Sequence, residues 1–187
     1  MTIQVEPQSR PDLYKEHSFW LLPAEPLNRQ LRSIVQRLAK KYDAIDFEPH
    51  VTIFSGPFDD DQTNTIARAI ASLFPHGELI PVKLDYTSVY TKTLFIQFQD
   101  SEVVRRMSDA IRDRSARPVN YVLNPHMSLL YKTMAVAKQA EICRTLDAPK
   151  GIYFFDRLRA IEIEIPVTRP EQIKRWRSVC ECALGQP

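Results

Sequence analysis

Glu48-Pro49-His50-Val51-Thr52-Ile53-Phe54 and Asn124-Pro125-His126-Met127-Ser128-Leu129-Leu130 are two copies of one pattern. In each, a proline precedes a histidine and a hydroxyl residue follows two places later. Apolar residues fill the positions between and beyond. Alternation of this kind predicts a strand. Side chains at i and i+2 of a strand share a face, so each copy sets an imidazole beside a hydroxyl. The chain has only four histidines. Two of them with Ser or Thr two places on would arise by chance about 10% of the time at this composition, and requiring the apolar neighbours in both copies brings this under about 1%. The pair is an internal repeat. It predicts two similar lobes, each giving one motif strand to a shared cleft. His17 and His76 lack the context and read as structural or surface residues.

The chain has 187 residues, enough for one compact domain or two small joined lobes with a core that needs no disulfides. Its formal charge of +2 argues against wholesale binding of long nucleic acid. The three cysteines, Cys143, Cys180 and Cys182, have neither a disulfide framework nor a zinc spacing and read as reduced thiols. The opening residues carry no apolar signal core, and no apolar run approaches the ~20 residues of a membrane helix. A cytoplasmic monomer that does not enter membranes is expected.

In chain order, residues 1–14 read as a loose arm. His17 to Leu22 reads as a strand stopped by Pro23. Leu27, Leu31, Ile34, Val35, Leu38 and Tyr42 follow helical spacing, with Pro26 in the first turn and a basic outer face. After the first motif strand, Asp59, Asp60 and Asp61 mark a helix start rather than a metal site. Ile66, Ile70, Leu73 and Phe74 form that helix's buried stripe. Residues 79–90 and 93–98 read as paired strands. A third helix buries Val103, Val104, Met107 and Ile111. A strand at 119–123 leads to the second motif, and a helix over 135–147 follows it. Strands at 152–156 and 158–166 come next. Pro170 opens a last helix with Ile173, Trp176, Cys180 and Ala183 on one side, which would point Cys180 and Cys182 apart. Hairpin-like strand pairs mixed with helices predict an α+β fold with antiparallel sheets.

Opening a five-membered cyclic phosphodiester with water needs the attacking oxygen deprotonated and the leaving oxygen protonated, on opposite sides of phosphorus. Two imidazoles facing each other across a cleft meet that geometry, and histidine suits either role near neutral pH. Thr52 and Ser128 are placed to donate hydrogen bonds to the non-bridging oxygens. This scheme calls for no metal and no cofactor. The two histidines lack the partner ligands of a zinc site. A serine nucleophile would want its base across from it, whereas Thr52 and Ser128 sit beside their histidines. No glycine-rich phosphate loop is present. A repeated polar pair satisfied inside a core is the structural alternative.

The two H-x-[ST]-x motifs resemble the signature of the 2H phosphoesterases. Pro49-His50-Val51-Thr52 and Pro125-His126-Met127-Ser128-Leu129-Leu130-Tyr131, with Ser18-Phe19-Trp20-Leu21-Leu22-Pro23, look most like the plant and yeast cyclic phosphodiesterases. The likeness runs from about residue 16 to about residue 180. It implies a bilobal α+β fold in which each pseudo-symmetric lobe has an antiparallel sheet and flanking helices. It implies metal-independent hydrolysis of ADP-ribose 1″,2″-cyclic phosphate and nucleoside 2′,3′-cyclic phosphates. By the resemblance, Tyr131 lies at the active site, although strict alternation turns it to the opposite face unless the strand bulges or ends first. Trp20 reads either as a platform for a base or as a core aromatic. The near symmetry of the motifs does not separate base from acid; the assignment adopted is His126 as base and His50 as acid.

Two rival readings remain. One is RNA 2′-5′ ligation or processing of RNA ends, which needs a basic track such as the arginines at 105, 106, 112, 114 and 117. The other is a nucleotide-binding module without catalysis.

Overall fold

The computed structural model describes residues 13–115 and 119–185. The expected arm lies outside the described residues except for Leu13 and Tyr14, and Tyr14 already opens strand β1 (Tyr14–Pro23). Helix α1 (Leu27–Tyr42) buries Leu31, Ile34, Val35 and Leu38 at the expected spacing. It stops where Asp43 turns left-handed, at φ 48°, and returns its N–H to the Ala39 carbonyl. Strand β2 (Val51–Gly56) follows. Helix α2 (Asp60–Leu73) starts with a reciprocal cap: Asp59 accepts from the Gln62 N–H while the Gln62 side chain accepts from the Asp59 N–H. The aspartate cluster is therefore a helix start. Leu73 is exposed rather than buried.

The strand expected at 79–90 splits into β3 (Gly77–Leu79) and β4 (Pro81–Tyr86), with a 3₁₀ turn at Tyr90–Lys92 before β5 (Leu94–Phe98). Helix α3 (Glu102–Arg112) is capped by Ser101 and buries Val104, Met107 and Ile111, whereas Val103 is largely exposed. Residues 119–125 form no strand. Some backbone carbonyls there accept from side chains instead: Arg112 donates to the Tyr121 carbonyl at 2.8 Å. Strand β6 (His126–Leu130) and helix α4 (Val136–Thr145) follow. The two strands expected after residue 151 are one, β7 (Tyr153–Ile165).

The expected last helix is a single turn, α5 (Pro170–Ile173), and then strand β8 (Arg177–Ala183). The outer edge of β7 from Arg157 to Glu162 is open, and pairing with it outweighs the helical spacing of Trp176, Cys180 and Ala183. Cys180 and Cys182 therefore share a face instead of pointing apart. Both are free, and burial pushes the Cys180 thiol up to about 11.

The strands form an eight-stranded sheet in the order β3-β7-β1-β2-β6-β5-β4, with β8 also on β7, and every pairing is antiparallel. The sheet has two halves built alike, β1-α1-β2 and β5-α3-β6. They meet at the motif strands through one pairing, Val51 opposite Met127. The helices cross the seam: α1 packs on β6 and α3 packs on β2. Phe19, Leu21, Val51, Ile53, Met127 and Leu129 join the helices in one continuous core. The opposite face of the seam is left for polar side chains.

Candidate active site

The Val51–Met127 register decides the site. Both side chains are fully buried, so the residues on either side of each point to the other face. Because the strands run antiparallel, this register carries His50 toward Ser128 and Thr52 toward His126. All four line one cavity of about 340 Å³. Trp20 and Tyr131 line it too, so the structure brings together all six residues singled out from the sequence. Tyr131 reaches the cavity because β6 ends at Leu130, which frees it from strict alternation.

Each histidine is held in the same way. The Nδ1 of His50 lies 2.6 Å from the Glu48 carbonyl, and the Nδ1 of His126 lies 2.7 Å from the Asn124 carbonyl. A carbonyl only accepts, so Nδ1 carries the proton in both rings. The Nε2 atoms have no hydrogen-bond partner among the described residues and, in neutral rings, present lone pairs. The shared proline thus has a physical role. It occupies the position between the ring and the carbonyl that the ring binds, with a fixed φ and no N–H to compete.

Each anchoring residue is itself tied down. The Glu48 carboxylate accepts from Arg159, which also grips Glu181. Gln97 Nε2 donates to Asn124 Oδ1 at 3.0 Å and to the Pro125 carbonyl at 2.9 Å. The two motifs thus have equivalent supports from different elements.

Trp20 stacks on His50, with centroids 3.6 Å apart and planes within 9°. Trp176 packs edge-on against Trp20 at 5.3 Å. Trp20 is 5% exposed and supports the imidazole from the cavity wall. Phe47 stacks on Tyr131 at 3.7 Å. Burial holds the phenols of Tyr121 and Tyr131 above their ordinary range, so both remain donors at neutral pH. Ser128 Oγ donates to the Thr91 carbonyl at 2.7 Å.

Burial lowers the pKa of His50 from 6.5 to about 4, with smaller contributions from the charges of His126 and Arg159 against the raising effect of the Glu48 carbonyl. His126 is also lowered, chiefly by burial and further by Lys92, with the Asn124 carbonyl opposing. Burial thus favours the neutral form of both rings.

A sequence profile of cyclic phosphodiesterase-like proteins matches residues 16–148, a span that contains both motifs. The chain belongs to this family. Its fold is that of the 2H phosphoesterases. Escherichia coli LigT in complex with 3′-AMP superposes with a TM-score of 0.54 at 16% identity, over 92% of this chain and 99% of LigT. LigT in complex with NADP+ gives 0.56 at 17% identity over 92% and 99%. The protein TT0787 of Thermus thermophilus gives 0.59 at 10% identity over 91% and 98%. At these identities the likeness concerns the fold. No curated protein matches the sequence.

In this cyclic phosphodiesterase-like protein, several cavity residues lie outside the sequence motifs. Ile163, Ile165 and Val167 form an apolar wall at the end of β7, and Trp176 closes it. Ile161, Ile163 and Ile165 alternate as the sequence suggests, but only Ile161 is buried in the protein; the other two face the cavity. The helical spacing around Trp176 conceals its place in this wall. Tyr121, whose hydroxyl donates to the Thr52 carbonyl at 3.2 Å, carries no signal in the sequence. The arginines of α3 do not line the cavity. Arg105 pairs with Asp100, Arg112 with Asp109, Arg114 donates to the Ala110 carbonyl, and Arg106 lies over Phe74. Arg117 lies outside the described residues.

His17 and His76 stand apart from the cavity, on Asp60 and Glu78. The group of potential metal ligands found among the described residues is His17, Asp60 and Glu162, which includes neither motif histidine. Arg177 and Lys15 already neutralise its carboxylates. No helix among the described residues is long and apolar enough to cross a membrane.

Proposed function

We propose that this chain hydrolyses a small cyclic phosphodiester, of the class of ADP-ribose 1″,2″-cyclic phosphate or a nucleoside 2′,3′-cyclic phosphate. The observation that carries the reading is the matched pair of imidazoles. Each is pinned at Nδ1 to the carbonyl two residues upstream and lines the same cavity with Nε2 unpaired. Phosphodiester chemistry is the general reaction class of the family. A cavity of about 340 Å³ suits a small molecule. LigT, which shares the fold, has been crystallised with 3′-AMP, NADP+ and ATP.

In this reading His50 is the base and His126 the acid, the reverse of the assignment adopted from the sequence. His50 is held neutral more strongly, so its Nε2 is free to take a proton from water. The water oxygen bonds to phosphorus as the bond to the leaving ribose oxygen breaks. His126, protonated in the complex because the substrate's negative charge raises its pKa, delivers its proton to that oxygen. The product is a phosphomonoester with a free hydroxyl. Thr52, Ser128 and Tyr131 supply hydroxyl donors where charge builds on the non-bridging oxygens. Ser128 releases the Thr91 carbonyl to do so.

The test is hydrolysis of 2′,3′-cyclic AMP and of ADP-ribose 1″,2″-cyclic phosphate in excess chelator by wild type, His50→Ala and His126→Ala. Each substitution is expected to lower kcat by about 10²–10⁴. Turnover that survives both substitutions, or that the chelator abolishes, overturns the scheme. A strong preference for an oligonucleotide with the same terminal cyclic phosphate would move the reading to RNA ends.

A further inference from the structure

Among the described residues, the cavity wall carries no Lys, Arg, Asp or Glu. Apart from the His126 proton that serves the reaction, a cyclic phosphate would be met there by neutral donors, and a second anionic group would find no fixed cation. Cations on the bordering elements are engaged elsewhere: Arg159 by Glu48 and Glu181, Arg177 by Asp60 and Glu162, and Arg112 by Asp109.

Lys92 differs. Among the described residues it has no carboxylate within ion-pair distance, and the nearby Asp85 is taken by Lys83 at 2.7 Å. Its ammonium lies 4.2 Å over the Phe95 ring, and Phe95 packs edge-on against His126 at 5.7 Å. Its position is built. The Lys92 N–H donates to the Val89 carbonyl, Thr87 Oγ1 donates to the Lys92 carbonyl, and Thr93 Oγ1 donates to the Tyr90 carbonyl. Ser128 holds the adjacent Thr91 carbonyl, which ties the turn to the second motif. The cation is thus half-buried and fixed at its root beside the cavity on the His126 side. An ammonium held only by a ring face gives up little when it turns to an anion.

We infer that Lys92 anchors a second anionic group of the substrate, so that the preferred substrate is a cyclic phosphate that also carries a further phosphate. This rests on the reading of the cavity as a cyclic-phosphate site. A phosphate-bearing nucleotide offers the second charge, and a bare cyclic nucleoside phosphate does not.

The experiment compares kcat/KM for 2′,3′-cyclic AMP with and without a 5′-phosphate, on wild type, Lys92→Met and Lys92→Arg. Wild type is expected to favour the 5′-phosphorylated substrate by about five- to tenfold at low salt, and the preference should shrink as salt rises. Lys92→Met should bring the ratio to about one, and Lys92→Arg should keep most of it. Because the result is a ratio, any shared effect of Lys92 on His126 cancels. A preference that is absent in wild type or unchanged in Lys92→Met overturns the inference. Calorimetry with adenosine 2′,5′-bisphosphate against adenosine 2′-monophosphate makes the same comparison without turnover. Loss of hydrolysis alone would therefore strike the proposed reaction and leave the anion site to be judged on binding.

Discussion

Replacing Trp20 with leucine should move the acid limb of the pH–rate profile. Burial is the largest cause of the low His50 pKa, and the indole covers one face of that imidazole at 3.6 Å. Leucine keeps contact with Leu22 and Ile161, which pack with Trp20, but opens the ring to water. If hydration is fully restored, the pKa returns from about 4 toward 6.5. At pH 5 a base with a pKa of about 4 is roughly 90% neutral, whereas one at about 6.5 is roughly 3% neutral. The variant should therefore lose up to about 30-fold in kcat/KM at pH 5 relative to pH 8, where both bases are neutral. The assay is kcat/KM for 2′,3′-cyclic AMP from pH 4.5 to 8.5, with NMR titration of the imidazole protons as a direct readout. Circular dichroism controls for folding, since Trp to Ala truncations in cores cost about 3–5 kcal/mol and leucine leaves a smaller hole. A variant whose loss is the same at every pH, or a wild-type His50 titrating near 6.5, refutes the argument that burial by Trp20 keeps the base neutral.

Stability should also depend on pH through His50. Its folded pKa lies below the unfolded value, so as pH falls the unfolded chain binds the proton first. The folded state should lose up to about 3 kcal/mol between pH 6.5 and 4 through His50, and urea unfolding should show a steeper pH slope in wild type than in His50→Gln, where His126 still contributes. Gln97→Leu removes both bonds to the second motif. It should lower kcat about fivefold or more with little change in KM, as expected for a residue that positions His126 without touching substrate. Asp59→Ala breaks the cap of α2 and should cost about 1 kcal/mol, seen as a Tm lowered by a few degrees with activity unchanged.

The parts of this protein that could be read in advance are those fixed by local spacing. His50 and Thr52, and His126 and Ser128, share a face because a strand's period is two. Asp59 opens α2 because its side chain satisfies the helix's own first N–H groups. The parts that escaped depend on partners far along the chain. Trp176 and Cys180 are spaced for a helix, yet the free edge of β7 takes Arg177–Ala183 as a strand. Tyr121 sits in a segment whose side chains suggest a strand, but its neighbours supply side-chain donors instead of a ladder. Arg159 lies 111 residues from Glu48, and nothing in the local pattern of β7 marks it as a support for His50.

The exchange of α1 and α3 across the seam has a mechanical consequence. The gap between the two imidazoles is set where the half-sheets share a single pairing, which alone is too weak to hold a catalytic distance. What holds it is that each half has its helix lodged in the other's core. Widening the gap means withdrawing both helices at once. Rigidity at the phosphate and integrity of the core are therefore one property. A chain divided between β3 and β4 would leave each piece with half of its own wall missing, much as a mortise without its tenon.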